Sequence, residues 1–123
     1  MLLDSFAWIE FFSGTQIGRK VEETLNEKTC YMSLISLAEI SEFCSKTGLD
    51  LDKSFEKIAT LSIILPFNPE VCILSGKVNF QRKKIIKGWG MVDSIILTTA
   101  LVNNLEILTG DKHFEDLPNV EMI

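Results

Sequence analysis

The sequence predicts an α/β fold: three layers, α/β/α, around a central, mainly parallel sheet of four to five strands. Three observations carry this expectation. Short β-prone runs alternate with longer stretches whose apolar residues recur at helical spacing. Residues 92–103 are apolar nearly all round, as in a helix covered on every side. Turn residues such as Gly14, Gly48, Pro66, Gly88 and Gly110 separate the segments. Strands that alternate with helices imply a parallel sheet with right-handed crossovers on both faces. Each helix then runs against the strands, so strand C-termini and helix N-termini share one edge. Ligands of open α/β sheets bind at that edge, where the strand order reverses.

Element by element, Met1-Leu2-Leu3 is a short apolar run ending at Asp4, and residues 5–12 form a short helix broken by Gly14. Ile17, Val21 and Leu25 recur among polar residues and define an amphipathic helix over 15–26. Residues 29–33 read as a strand. Ser36 opens a helix with Leu37, Ile40, Phe43 and Cys44 on one face, ended by Gly48. Residues 50–60 form a further helix through Leu51, Phe55 and Ile58, and residues 62–65 a strand stopped by Pro66. Asn68-Pro69-Glu70 is a helix start, with a capping side chain, proline at the first helical position and an acid in the first turn. That helix turns Val71, Leu74 and Val78 to the core and reaches the basic run Arg82-Lys83-Lys84. A loop at Gly88-Trp89-Gly90 leads to the apolar helix. Residues 105–109 are the fourth strand, 110–113 a loop, and 119–123 the fifth strand.

The 123 residues, 46% hydrophobic and 24% charged, suit one domain over 1–123 with a genuine core. The longest apolar stretches, such as Ile63-Ile64-Leu65, fall far short of the ~20 residues a spanning helix needs, so no membrane segment is expected. Met1-Leu2-Leu3-Asp4 meets an acid at once and has no basic region typical of a signal peptide. Cys30, Cys44 and Cys72 are odd in number and widely spaced, and His113 is the only histidine. A sulfur–nitrogen zinc site and a disulfide framework are thereby disfavoured, and buried, reduced thiols in a cytoplasmic protein are expected.

The acids carry the chemistry. Asp4 ends strand one, Glu39 lies in the first turn of the helix after strand two, Asp93 opens the apolar helix, and Asp111 follows strand four. In the predicted fold all four project from the same edge. Each also has a structural reading. Ser36-Leu37-Ala38-Glu39 fits a capping box, Asp93 complements a helix dipole, and Asp4 and Asp111 cap the turns that follow them. Convergence is costly, because two carboxylates about 5 Å apart repel by about 3 kcal/mol at an effective dielectric of about 20. Either one takes up a proton or a divalent cation sits among them. An all-oxygen site suits Mg²⁺ or Mn²⁺, and metal-assisted phosphodiester hydrolysis is the natural chemistry.

Leu3-Asp4-Ser5, Ser36-Leu37-Ala38-Glu39-Ile40, Val92-Asp93-Ser94-Ile95-Ile96 and Leu108-Thr109-Gly110-Asp111-Lys112-His113-Phe114 together resemble PIN domains, in particular VapC-type toxins of toxin–antitoxin pairs. The likeness spans the chain, and its specificity comes from the set of four motifs. It implies an endoribonuclease that cuts single-stranded RNA with one or two Mg²⁺ or Mn²⁺ ions, forms a homodimer, and is inhibited by a cognate antitoxin. By position it assigns Asp4, Glu39, Asp93 and Asp111 to the catalytic and metal-binding set. Ser5 and Thr109 enter as supporting hydroxyls, and Asp116 as a further acid.

The formal charge of −5 argues at first against a nucleic-acid partner. Counting out the four site acids leaves −1, so the remainder is nearly neutral. Arg82, Lys83, Lys84 and Lys87, with Lys112 beside Asp111, are the candidate contacts to RNA phosphates; a solvated helix end is the alternative for the run. His113 is read as a surface or packing residue, and Trp89 as packing in preference to base stacking. The Trp8–Phe12 segment suits a partner face or the core equally. A catalytically silent PIN-like module, or a general RNA-processing nuclease without an antitoxin, is the alternative function. Receiver-like domains want adjacent acids after strand one, and dehalogenase-like phosphatases want a DxD motif, whereas here Asp4-Ser5-Phe6 stands.

Overall fold

The computed structural model describes residues 1–123. The elements in order are β1 (Leu2–Leu3), α1 (Ser5–Ser13), α2 (Gln16–Glu27), β2 (Tyr31–Ser33), α3 (Leu34–Thr47), α4 (Leu51–Leu61), β3 (Ile63–Leu65), α5 (Pro69–Arg82), α6 (Met91–Val102), β4 (Ile107–Thr109), a 3-10 turn (Lys112–Phe114) and β5 (Val120–Met122). The five strands form one sheet in the order β3-β2-β1-β4-β5. Every neighbouring pair is parallel, with Leu2 opposite Tyr31 and Ile107, and Tyr31 opposite Ile63. The sheet is thus wholly parallel, where the sequence predicts a mainly parallel one. No helix is long and apolar enough to cross a membrane.

Side chains alternate across a strand, and in β1 this divides the core in two. Leu3 joins Ala7, Trp8, Val21, Leu25, Ile40 and Ile58 on the face covered by α1 to α4. Leu2 joins Ile96, Leu97, Ala100, Trp89 and Phe114 on the face covered by α6, with Val78 of α5 packed against them. Fully buried aliphatic side chains such as Ile40 and Ile58 each contribute about 1.5–3 kcal/mol. Trp8 is wholly buried, so the core accounts for its place in the Trp8–Phe12 segment. Helix α6 is buried without a break from Ser94 to Ala100, as its apolar composition requires. Helices α1 and α2 approach closely at Gly18, where a Cβ would lie 2.1 Å from the Glu10 carbonyl oxygen.

Three local expectations are corrected. Helix α3 starts at Leu34, directly after β2, so Ser36 already lies inside it. The Ser36 hydroxyl is buried without a partner, and the capping box with Glu39 does not form. In α5 the buried stripe runs through Val71, Ser75, Asn79 and Arg82, which takes Arg82 out of the solvated basic run. Cys30 and Cys44 are buried free thiols, but Cys72 is exposed, because it lies on the side of α5 away from that stripe.

Candidate functional site

The strand order reverses at β1, which has β2 on one side and β4 on the other. Asp4 leaves β1 at this switch point and caps α1. Its Oδ1 accepts from the Ala7 N–H at 3.0 Å, and its Oδ2 accepts from the Thr109 hydroxyl at the end of β4. Thr109 Oγ1 in turn accepts from the Asp111 N–H at 2.9 Å, so one hydroxyl ties the two acids to adjacent strands. Asp4 is only 4% exposed. Burial pushes its carboxyl up to about 7, against the hydrogen bonds from Thr109 and Ala7, and the charges of Asp111 and Glu39 act in the same direction as burial.

Glu39 reaches the site from α3, where its Oε1 accepts from the Ser5 hydroxyl at 2.6 Å. Asp93 stands in the first turn of α6, and its Oδ2 accepts from the Gly90 N–H at 2.9 Å. Burial raises its pKa and Asp111 adds to the rise, while the Gly90 bond and His113 oppose it. Asp111 caps the 3-10 turn by accepting from the His113 N–H at 2.9 Å. The capping roles of Asp4, Asp93 and Asp111 are therefore real. They are the means by which the acids are held, and not an alternative to their convergence.

Asp4, Ser5, Glu39, Asp93, Asp111 and Lys112 line one cleft of about 550 Å³. None of the four acids is ion-paired with a lysine or arginine. Their charge is thus left uncompensated by the chain itself, apart from His113. Nδ1 of that ring lies 3.4 Å from Asp111 Oδ1 and 3.9 Å from Asp93 Oδ2. One donor atom each from Asp93, Asp111 and His113 fall within 4.8 Å of one another. This donor set, beside carboxyls whose ionisation burial opposes, fits a divalent cation.

Five expected site residues, Arg82, Lys83, Lys84, Lys87 and Asp116, are placed outside the cleft. Asp116 pairs with Arg82 through bonds of 2.7 and 2.8 Å to the two guanidinium nitrogens, and the Arg82 hydrogen bonds hold its carboxyl below the usual range. Arg82 is buried, stacks 4.4 Å from the Trp89 ring centroid, and donates to the His113 carbonyl at 3.0 Å. It therefore braces the turn that carries Asp111 and His113 and does not face solvent. Lys83, Lys84 and Lys87 are exposed but do not line the cleft; Lys112 alone of the candidate basic residues does so. Trp89 is buried and donates to the Ser94 hydroxyl at 2.7 Å, so it packs and is closed to a base. His113 and this brace are what the sequence reading missed. The signal for Arg82 was its place on the Val71–Ser75–Asn79 stripe; for His113 it was only proximity to Asp111.

A PIN-domain family model matches residues 1–120. Among solved structures, a toxin–antitoxin complex from Klebsiella pneumoniae is similar over 98% of this chain and 95% of that one, at 23% identity and a TM-score of 0.79. VapBC2 from Rickettsia felis, bound to a DNA fragment from its promoter, is similar over 99% and 97%, at 20% identity and a TM-score of 0.76. FitAcB from Neisseria gonorrhoeae is similar over 99% and 95%, at 22% identity and a TM-score of 0.72. No curated protein sequence matches the chain.

Proposed function

The chain belongs to the PIN-domain family, and from that premise we propose that it is a divalent-metal-dependent endoribonuclease that cuts single-stranded RNA as the toxin of a toxin–antitoxin pair. The cleft of unpaired carboxylates at the switch point carries this reading. The toxin role and an antitoxin partner are supported by likeness of fold to components of toxin–antitoxin complexes; the homodimer is part of the proposal and follows from the family resemblance alone.

Asp93 and Asp111 would hold one or two Mg²⁺ or Mn²⁺ ions, with Asp4 and Glu39 completing the acidic set. When bound, the ion supplies positive charge at the attacked phosphate and lowers the pKa of water. The chain's own part is positional. Thr109 and the Ala7 N–H fix the Asp4 carboxylate at the floor of the cleft, and Ser5 fixes Glu39. A carboxylate so fixed accepts the proton of the attacking water without first having to be ordered. Lys112, exposed at the rim, neutralises a neighbouring phosphate.

Asp93→Asn tests the proposal. It should abolish RNA cleavage while leaving the metal-free protein as stable or more stable, since one repelling charge is gone. In the wild type, metal at a hundred times its Kd should add about 2.7 kcal/mol of stability. Retained cleavage, with contaminating nucleases excluded, removes Asp93 from the mechanism. No rise in Tm at millimolar metal counts against the site. Metal and RNA binding without cleavage by the wild type would indicate a silent binding module.

A further inference from the structure

His113 stands out because its position is more fully determined than a surface ring requires. Its peptide N–H is held by Asp111 and its carbonyl by Arg82. Arg82 is itself fixed by Asp116 and by stacking on Trp89. Behind the ring lies Gly88 at φ +85°, where a Cβ would come 3.0 Å from Nε2 and 3.3 Å from Cε1. Glycine is favoured there both by the left-handed backbone and by the approach of the imidazole. The Nε2 edge is thus turned to the loop, and the Nδ1 edge to Asp93 and Asp111.

At 3.4 and 3.9 Å the contacts of Nδ1 with the two carboxylates are longer than the ~2.8 Å of a charge-assisted hydrogen bond. Both fall in the range set by a shared ion, while the three donors together span up to 4.8 Å and would draw together on binding one. Ligands about 2.1 Å from a shared ion stand about 3 Å apart at right angles and about 4.2 Å apart across it.

We propose that His113 Nδ1 is a metal ligand beside Asp93 and Asp111, and that this nitrogen makes the cleft prefer first-row transition ions over Mg²⁺. The inference rests on the acidic cleft being a metal site and adds a nitrogen donor to it. Imidazole suits transition ions, whereas Mg²⁺ prefers oxygen ligands and retains its waters. Ligation through Nδ1 leaves the proton on Nε2, the nitrogen facing Gly88.

The test uses the full chain stripped with a chelator and titrated calorimetrically with Mn²⁺, Co²⁺ and Mg²⁺. The wild type should bind Mn²⁺ and Co²⁺ at least about tenfold more tightly than Mg²⁺. His113→Ala should weaken the two transition ions by about tenfold or more, the scale on which even outer partners of a metal act, and Mg²⁺ by less than about threefold. His113→Asn, with an amide near the place of Nδ1, should keep Mg²⁺ binding and lose the preference. Bound Mn²⁺ should show hyperfine coupling to ¹⁴N in the wild type and none in His113→Ala. An equal loss for all three ions, or no coupling with unchanged affinity ratios, overturns the His113 assignment and leaves the acidic site standing. A wild type that binds none of the ions refutes the metal-site reading itself.

Discussion

Asp4→Asn in the metal-free protein measures directly what it costs to assemble this site. The Asp4 carboxyl has an ordinary value of 3.8 and is raised to about 7 in the fold, chiefly by burial. The folded protein therefore holds this proton more tightly than the unfolded chain does. Stability linked to Asp4 is fully present below pH 3.8 and is lost as pH rises to about 7. At about 1.4 kcal/mol per pH unit, the whole displacement is worth about 4 kcal/mol. Between pH 5 and pH 8 the loss is about 3 kcal/mol, roughly 10 °C in Tm for a chain of this size. The assay is thermal or urea unfolding in the presence of a chelator at several pH values. Asp93, also raised, adds a slope of the same sign, so the informative quantity is wild type minus variant. Asparagine keeps the acceptor for the Ala7 N–H and cannot ionise. Asp4→Asn should thus flatten the profile and gain most over the wild type above pH 7. A variant whose stability falls with pH as steeply as the wild type would refute the assignment of the cost to Asp4.

Arg82→Met should destabilise the protein by about 1–3 kcal/mol in urea unfolding, mostly through the unpaired His113 carbonyl and lost stacking on Trp89. The lost bidentate pair with Asp116 adds to this, and Arg82→Lys should not restore the loss, since an ammonium cannot replace the fork. A neutral Arg82→Met would show that the turn holds itself in place. Lys112→Ala should weaken RNA binding about equally across sequences and lower the salt slope of the binding constant by about one. An unchanged slope would place Lys112 off the phosphate path.

The sequence alone sets the order of strands and helices, because apolar period, capping residues and glycine breaks are local signals. It also determined that Asp4, Glu39, Asp93 and Asp111 would meet, because parallel connections leave one edge for every strand end. Partnership between distant side chains was decided by the tertiary structure alone. Arg82 lies in the sequence beside two lysines and looks like one of them, yet the fold buries it against Trp89 and gives it Asp116, 34 residues away. Sequence spacing offers Glu39 a capping box with Ser36, and the early start of α3 hands it to Ser5 instead. His113 carries no periodic signal at all. Its approach to two carboxylates depends on the brace beneath it and the bare glycine behind it. Local patterning reports which way a residue faces relative to its own helix or strand, but the identity of what it meets there is fixed only when the other elements pack.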